Sequence, residues 1–135
     1  MAGPFKFELV SPERLLLSEQ VVQVDLPGTD GDFGILEGHS PFISTLRPGV
    51  ATITMPGGAV QKIFVRGGLA EVSATGLTVL AEKAMPLSDL KADEIAAEIR
   101  NAEEDVTDAA SESARQAAAL RLAQMKDLAG ALKAA

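Results

Sequence analysis

Asp30, Asp32, His39, Ser40 and Ser44 lie close together in one short stretch of the chain. Suitably arranged, such residues do nucleophilic chemistry: a hydroxyl attacks, the imidazole takes its proton, and a carboxylate orients the ring. Nothing in this spacing fixes that geometry, and Ser40-Pro41 reads as a turn. An acid–base carboxylate pair needs one member in an apolar pocket, whereas Asp30 and Asp32 flank Gly31 in a turn-forming run. The run "DGDFG" begins like a calcium loop, but that pattern wants an oxygen ligand where Gly34 stands and a glycine where Ile35 stands. With one histidine and no cysteine, a zinc site would have to be built mainly from carboxylates. Neither G-x-x-x-x-G-K-[ST] nor G-x-G-x-x-G after a strand occurs. No catalytic residue, metal or cofactor is expected. The stretch "GTDGDFGILEGHSPFISTLRPG" is expected to be a rigid, irregular surface loop held by a scaffold, the usual setting of a docking function.

Two kinds of element must carry that loop. Up to Pro86 the chain alternates: Phe5, Phe7 and Leu9 oppose Lys6 and Glu8, Val22, Val24 and Leu26 oppose Gln23 and Asp25, and Ala51, Ile53 and Met55 oppose Thr52 and Thr54. This period of two predicts strands with one buried face, and "MPGGAV" predicts a hairpin between two of them. Beyond Leu87 there is no proline, and Gly130 is the single glycine. Ala92, Ile95, Ile99, Ala102 and Val106 step at helical spacing, with Ser88 expected as N-cap. A second stripe follows through Ala114, Ala118, Leu122, Met125, Ala129 and Leu132, with Thr107 expected as its N-cap and Gly130 expected to loosen the last turns. The expected architecture is an antiparallel β-sandwich over residues 1–87 and an antiparallel αα-hairpin over 88–135.

A net charge of −7, with no Trp and no Tyr, argues against nucleic acid, which asks for cations on phosphates and rings on bases. No secretory leader and no apolar run long enough to span a bilayer is evident. Residues 1–88 carry nine acids and six bases, 89–106 seven and two, and the remainder three and four. On a helical wheel Arg115, Lys126 and Lys133 align within about 20° beside the second stripe, a candidate row for an acidic partner.

In order and spacing, "GTDGDFGILEGHSPFISTLRPG" resembles the G-x-x-G-x-x-G-I-x-x-G-H-x-P…L-x-P-G signature of the epsilon subunits of bacterial F-type ATP synthases. "VRGGLAEV" at 65–72 resembles the second signature of that family, and "LTVLAEKA" at 77–84 its closing strand. The resemblance implies a ten-stranded sandwich followed by a helical hairpin, and a non-catalytic rotor role in the central stalk. It implies partners too: the gamma subunit and the c-ring of a proton-translocating complex, on the cytoplasmic face of the bacterial inner membrane. By resemblance, Asp30, Gly31 and Asp32 face the c-ring, and His39, Pro41 and Phe42 face gamma. Glu37 departs from the proline common at its position, which leaves the loop less constrained. The alternative is a sandwich module serving another multisubunit assembly.

In some family members the hairpin opens and brakes ATP hydrolysis, and some bind ATP through D-x-x-R-A. Here Asp89 is followed at that spacing by Ala92 and Asp93. The arginine is missing, so no tight ATP binding is expected. The row Arg115, Lys126, Lys133 is a modest supply of charge for docking on the alpha and beta catalytic subunits, so weak or absent inhibition is expected.

Overall fold

The computed structural model describes residues 3–134, and within them the side chains of 131, 133 and 134 are left aside. The chain forms two compact units that divide between Ser88 and Asp89.

The first unit is built from ten strands: β1 Phe5–Val10, β2 Leu15–Val21, β3 Gln23–Gly28, β4 Gly31–Ile35, β5 Phe42–Leu46, β6 Gly49–Thr54, β7 Val60–Val65, β8 Gly68–Ser73, β9 Gly76–Ala81 and β10 Ala84–Pro86. Their order is β10-β7-β6-β3-β5-β8-β9-β1-β2, with β4 attached to β3. Every pairing is antiparallel except β1 with β9. Alternation along the strands sends one side chain in two inward. Phe7 and Leu9, Val24 and Leu26, Ala51 and Ile53, Ala70 and Val72, and Leu77 and Val79 are all buried in a single cluster. The link between the two halves of the sheet is slight. β3 pairs with β6 through Val24 and its neighbours, but meets β5 only at Gly28 opposite Leu46. The sheet turns over there and closes as a sandwich. The β6–β7 hairpin falls on "MPGGAV" as expected; Gly57 and Gly58 take φ of 97° and 96°, a region that glycine enters without steric cost.

The stretch 28–49 departs from the expected irregular loop. It is a tight turn, the strand β4, a six-residue loop at 36–41, the strand β5 and a second tight turn. Its glycines and prolines punctuate a hairpin and two strand ends, and the apolar residues Phe33, Ile35 and Leu46 between them are drawn against the core.

The second unit holds α1, Ala92–Asp108, and α2, Glu112–Ala134, joined by three residues. Both expected caps are displaced. Ser88 lies in a single 3₁₀ turn, Leu87–Asp89, and the N-cap of α1 is Lys91, which makes no side-chain capping bond. Asp93 and Glu94 in the first turn compensate by placing negative charge at the positive end of the helix dipole. Thr107 belongs to α1: its hydroxyl donates back to the Glu103 carbonyl at 3.2 Å. Ser111 caps α2 instead, its Oγ accepting from the Ala114 amide at 3.1 Å. Ile95, Ile99, Ala102 and Val106 lie on the less exposed face of α1, while Ala92 and Ala114 are exposed. Gly130 sits inside α2, and the residues beyond it whose side chains were expected to loosen fall largely outside the described set.

Candidate functional site

The strand β4 separates the candidate residues into two groups. Asp30, Gly31 and Asp32 form the turn at its start, and His39, Pro41 and Phe42 follow its end. Leu46 of β5 pairs with Gly28 beside the first group, and the four steps from Leu46 to Phe42, at ~3.4 Å each, set the outer ends of the two groups about 14 Å apart. They are two sites, at opposite ends of the sandwich.

At the first end, two Pro-Gly pairs pack together. Pro27, Gly28, Pro48 and Gly49 are all buried. A Cβ on Gly49 would stand 2.6 Å from Cβ of Pro27, and one on Gly28 would stand 2.5 Å from the Gly31 carbonyl oxygen and 2.8 Å from the Phe33 ring. These glycines are required by close approach: the backbone itself is the packing surface. Arg47 crosses the same junction. Its amide donates to the Pro27 carbonyl at 2.9 Å, Nη1 to the Gly28 carbonyl and Nη2 to Oδ1 of Asp32, each at 2.5 Å. Thr29 adds an amide bond to the Thr45 carbonyl at 3.0 Å and a hydroxyl pair with Thr45 at 2.8 Å.

The register gathers the turns at Ser11–Arg14, Arg66–Gly67 and Glu82–Lys83 at this end as well. The carboxylates Glu13, Asp30, Asp32 and Glu82 are thus equalled in number by the cations Arg14, Arg47, Arg66 and Lys83. The tip expected to be acidic is charge-balanced, and Asp32 is already paired within the chain.

At the second end, His39 Nδ1 pairs with the Ser40 carbonyl at 2.7 Å. Its ring meets Phe42 edge-on at 5.8 Å, and Phe42 meets Phe33 edge-on at 5.3 Å, the geometry aromatic quadrupoles prefer. A row of three rings therefore runs from the His39 loop along β4 towards the Arg47 junction. Beside it opens a cleft of about 700 Å³, lined by Lys6, Glu37, His39, Pro41 and Thr75 among others. The polar partner of His39 is a main-chain oxygen, not Ser40 or Ser44 hydroxyl; Ser44 Oγ donates to the Thr45 carbonyl. Among the described residues no group of His, Asp and Glu is disposed to hold a metal, and no helix is long and apolar enough to cross a membrane.

A third surface was missed by the sequence reading. Across β8, β9, β1 and β2, the register aligns Leu69, Leu80, Val10 and Leu15 in one row on the outward face. Leu80 is 50% exposed, Leu15 54%, and Ile43 in the adjoining row 62%. The signal was parity. In "LTVLA", Leu77, Val79 and Ala81 are inward and buried, so Leu80 is an apolar residue at a position where water would favour a polar one. On α2, Arg115 is exposed and bonded to Glu112, Lys126 is exposed, and the side chain of Lys133 lies outside the described residues.

Residues 4–87 match the family model described as ATP synthase, delta/epsilon chain, beta-sandwich domain. The ATP synthase epsilon chain of Parvibaculum lavamentivorans is 52% identical over 128 residues, covering 95% of this chain and 97% of that one. That of Mesorhizobium japonicum is 42% identical over 132 residues, covering 98% of each. In fold, the chain is similar to one from the Euglena gracilis mitochondrial ATP synthase, with a TM-score of 0.73 at 24% identity, covering 96% of this chain and 81% of that one. With the sandwich matched by the family model and both helices spanned by close relatives, this chain belongs to the ATP synthase epsilon family.

Proposed function

We propose that the protein is a non-catalytic central-stalk subunit that couples the gamma shaft to the membrane c-ring of an F-type ATP synthase, peripheral to the cytoplasmic face of a bacterial inner membrane. Family membership along nearly the whole chain carries this reading. A module of an unrelated assembly is not favoured by it. The surfaces support the division of labour. The outward row Leu69, Leu80, Val10 and Leu15 is the apolar, strand-borne surface that a permanent protein partner covers, and gamma is that partner. His39, Pro41 and Phe42 stand at the other end of these strands, where Phe42 pairs with Val72 of β8, and are assigned to gamma as well. The Asp30–Asp32 turn, stiffened by Arg47, is the contact with the c-ring. His39 serves as an edge of the ring row. The boundary at Ser88/Asp89 separates this coupling unit from a hairpin whose exposed Arg115 and Lys126 offer a modest docking charge to the catalytic subunits.

The test is an add-back of full-length chain to an ATP synthase depleted of this subunit. Leu80→Glu places a charge in the middle of the apolar row without touching the core. It is expected to fold as the parent does and to bind the depleted complex about 30-fold more weakly, the ~2 kcal/mol of an interface hot spot. Val60→Glu, equally exposed at 54% but on β7, is the control and keeps full affinity. Undiminished binding of the Leu80 variant would refute the assignment of this face.

A further inference from the structure

The geometry points to Arg47 as the positioning residue of the ring-facing turn, a clamp that sets the course of the β3–β4 hairpin and leaves Asp30, and not Asp32, as the turn's uncompensated carboxylate offered to a cationic partner. This inference rests on the docking role proposed above.

Arg47 leaves the β5–β6 turn and reaches across the junction where the sheet folds over. It holds the β3–β4 turn on both of its limbs: Nη1 donates to the Gly28 carbonyl before the turn, and Nη2 to the Asp32 carboxylate after it. The two acceptors lie on different strands, so the bonds hold one limb against the other. Its own amide, donating to the Pro27 carbonyl, pins the base of the side chain. The guanidinium is suited to this because its donors are fixed in one plane and serve two acceptors at once. An ammonium is a single point charge.

The charge pattern follows from the same bonds. Asp32 is 74% exposed at its side chain but carries its counter-ion with it, while the Arg47 side chain is 31% exposed. Asp30, one residue from Gly31, is exposed and has no bonded partner among the described residues. A basic residue on a partner therefore meets Asp30 as a free carboxylate and Asp32 as half of a dipole. Besides Arg47, the turn is tied to β5 by the Thr29–Thr45 bonds; the β3–β5 ladder itself is confined to Gly28 and Leu46, and β4 pairs with β3.

Amide exchange in the free, full-length chain tests the clamp without reference to any partner. In Arg47→Met the Thr29 amide, bonded to Thr45, is expected to exchange about tenfold faster, the factor that one charge-assisted hydrogen bond carries. Amides in the β6–β7 ladder keep their rates and report that the fold is intact. Arg47→Lys restores part of the protection, and Asp32→Asn, which leaves the Gly28 bond in place, accelerates exchange less than Arg47→Met. Unchanged Thr29 exchange in both Arg47 variants overturns the clamp. The same chains are then added back to depleted complex and proton pumping per ATP hydrolysed is measured. Arg47→Met and Asp30→Lys are expected to lower it, and Asp32→Asn, which keeps the Gly28 bond of the clamp, to lower it less than Asp30→Lys. Faster Thr29 exchange with pumping intact in Arg47→Met and Asp30→Lys would uphold the clamp and overturn the c-ring contact. A pumping loss in Asp32→Asn equal to that in Asp30→Lys would overturn the assignment of the free carboxylate.

Discussion

Gly28→Ala tests the close packing at the junction of the two sheet halves. The new methyl would stand 2.5 Å from the Gly31 carbonyl oxygen and 2.8 Å from two atoms of the Phe33 ring, against an ordinary contact of 3.4 Å or more. The carbonyl would have to retreat by about 0.9 Å and the ring by about 0.6 Å, shifts read from those distances within a densely packed interior. Neither yields freely. The carbonyl belongs to the tight turn that Arg47 holds, and the ring is packed against the core and edge-on to Phe42. Overpacking of this kind costs ~1–3 kcal/mol. Alanine restricts the unfolded chain and returns ~0.4–1 kcal/mol of that, leaving a net loss of ~1–2 kcal/mol. For a sandwich of this size each kcal/mol lowers the midpoint by ~4–8 °C, so a fall of ~5–15 °C is expected. The chain has no Trp or Tyr, so circular dichroism of the sheet or calorimetry is the assay. A midpoint within about 2 °C of the parent would refute the claim that backbone approach, and not turn flexibility, is why glycine stands there.

Ser111→Ala removes the side-chain acceptor of the Ala114 amide at the start of α2 and is expected to destabilise that helix by ~1 kcal/mol, visible as lost helical ellipticity at moderate temperature. Gly130→Ala meets nothing within 4 Å and is expected to raise α2 stability by ~0.8–1 kcal/mol, read from the same helical signal on warming.

Alternation made the sandwich legible, because most strands are solvated on one face and buried on the other. It failed where a short strand is punctuated by turn residues. Gly31, Gly34 and Gly38 bracket β4 so closely that the apolar pair Phe33 and Ile35 was outvoted by turn chemistry. The helical stripes were legible from the three-four spacing, but the caps were not. Ser88 and Thr107 are both good capping residues by type; the choice fell to Ser111 because α1 runs on to Asp108 and Ala109 then turns to an extended backbone. Of the candidate site, the acidic and histidine groups were legible as positions, and their separation by the length of a strand was not. Arg47 escaped notice because its partners lie 15 and 19 residues away, a pairing that only the folded register creates. The apolar outward row was present as a parity signal at Leu80 and Val10, hidden because apolar residues within strands are ordinarily counted as core.

The parallel ladder between β1 and β9 sets an order of events during synthesis. Lys6 to Val10 pair with Gly76 to Leu80, so the first strand to leave the ribosome waits for almost the last one of its sheet. At ~5–20 residues per second the interval is about 3–13 s. Through that time β1 and β2 can form only their own hairpin, with Phe7, Leu9 and Val21 lacking the rest of the core that covers them in the finished fold. The nascent chain is therefore a client for any chaperone that binds apolar strands, and a ribosome stalled after β8 releases an open-edged sheet.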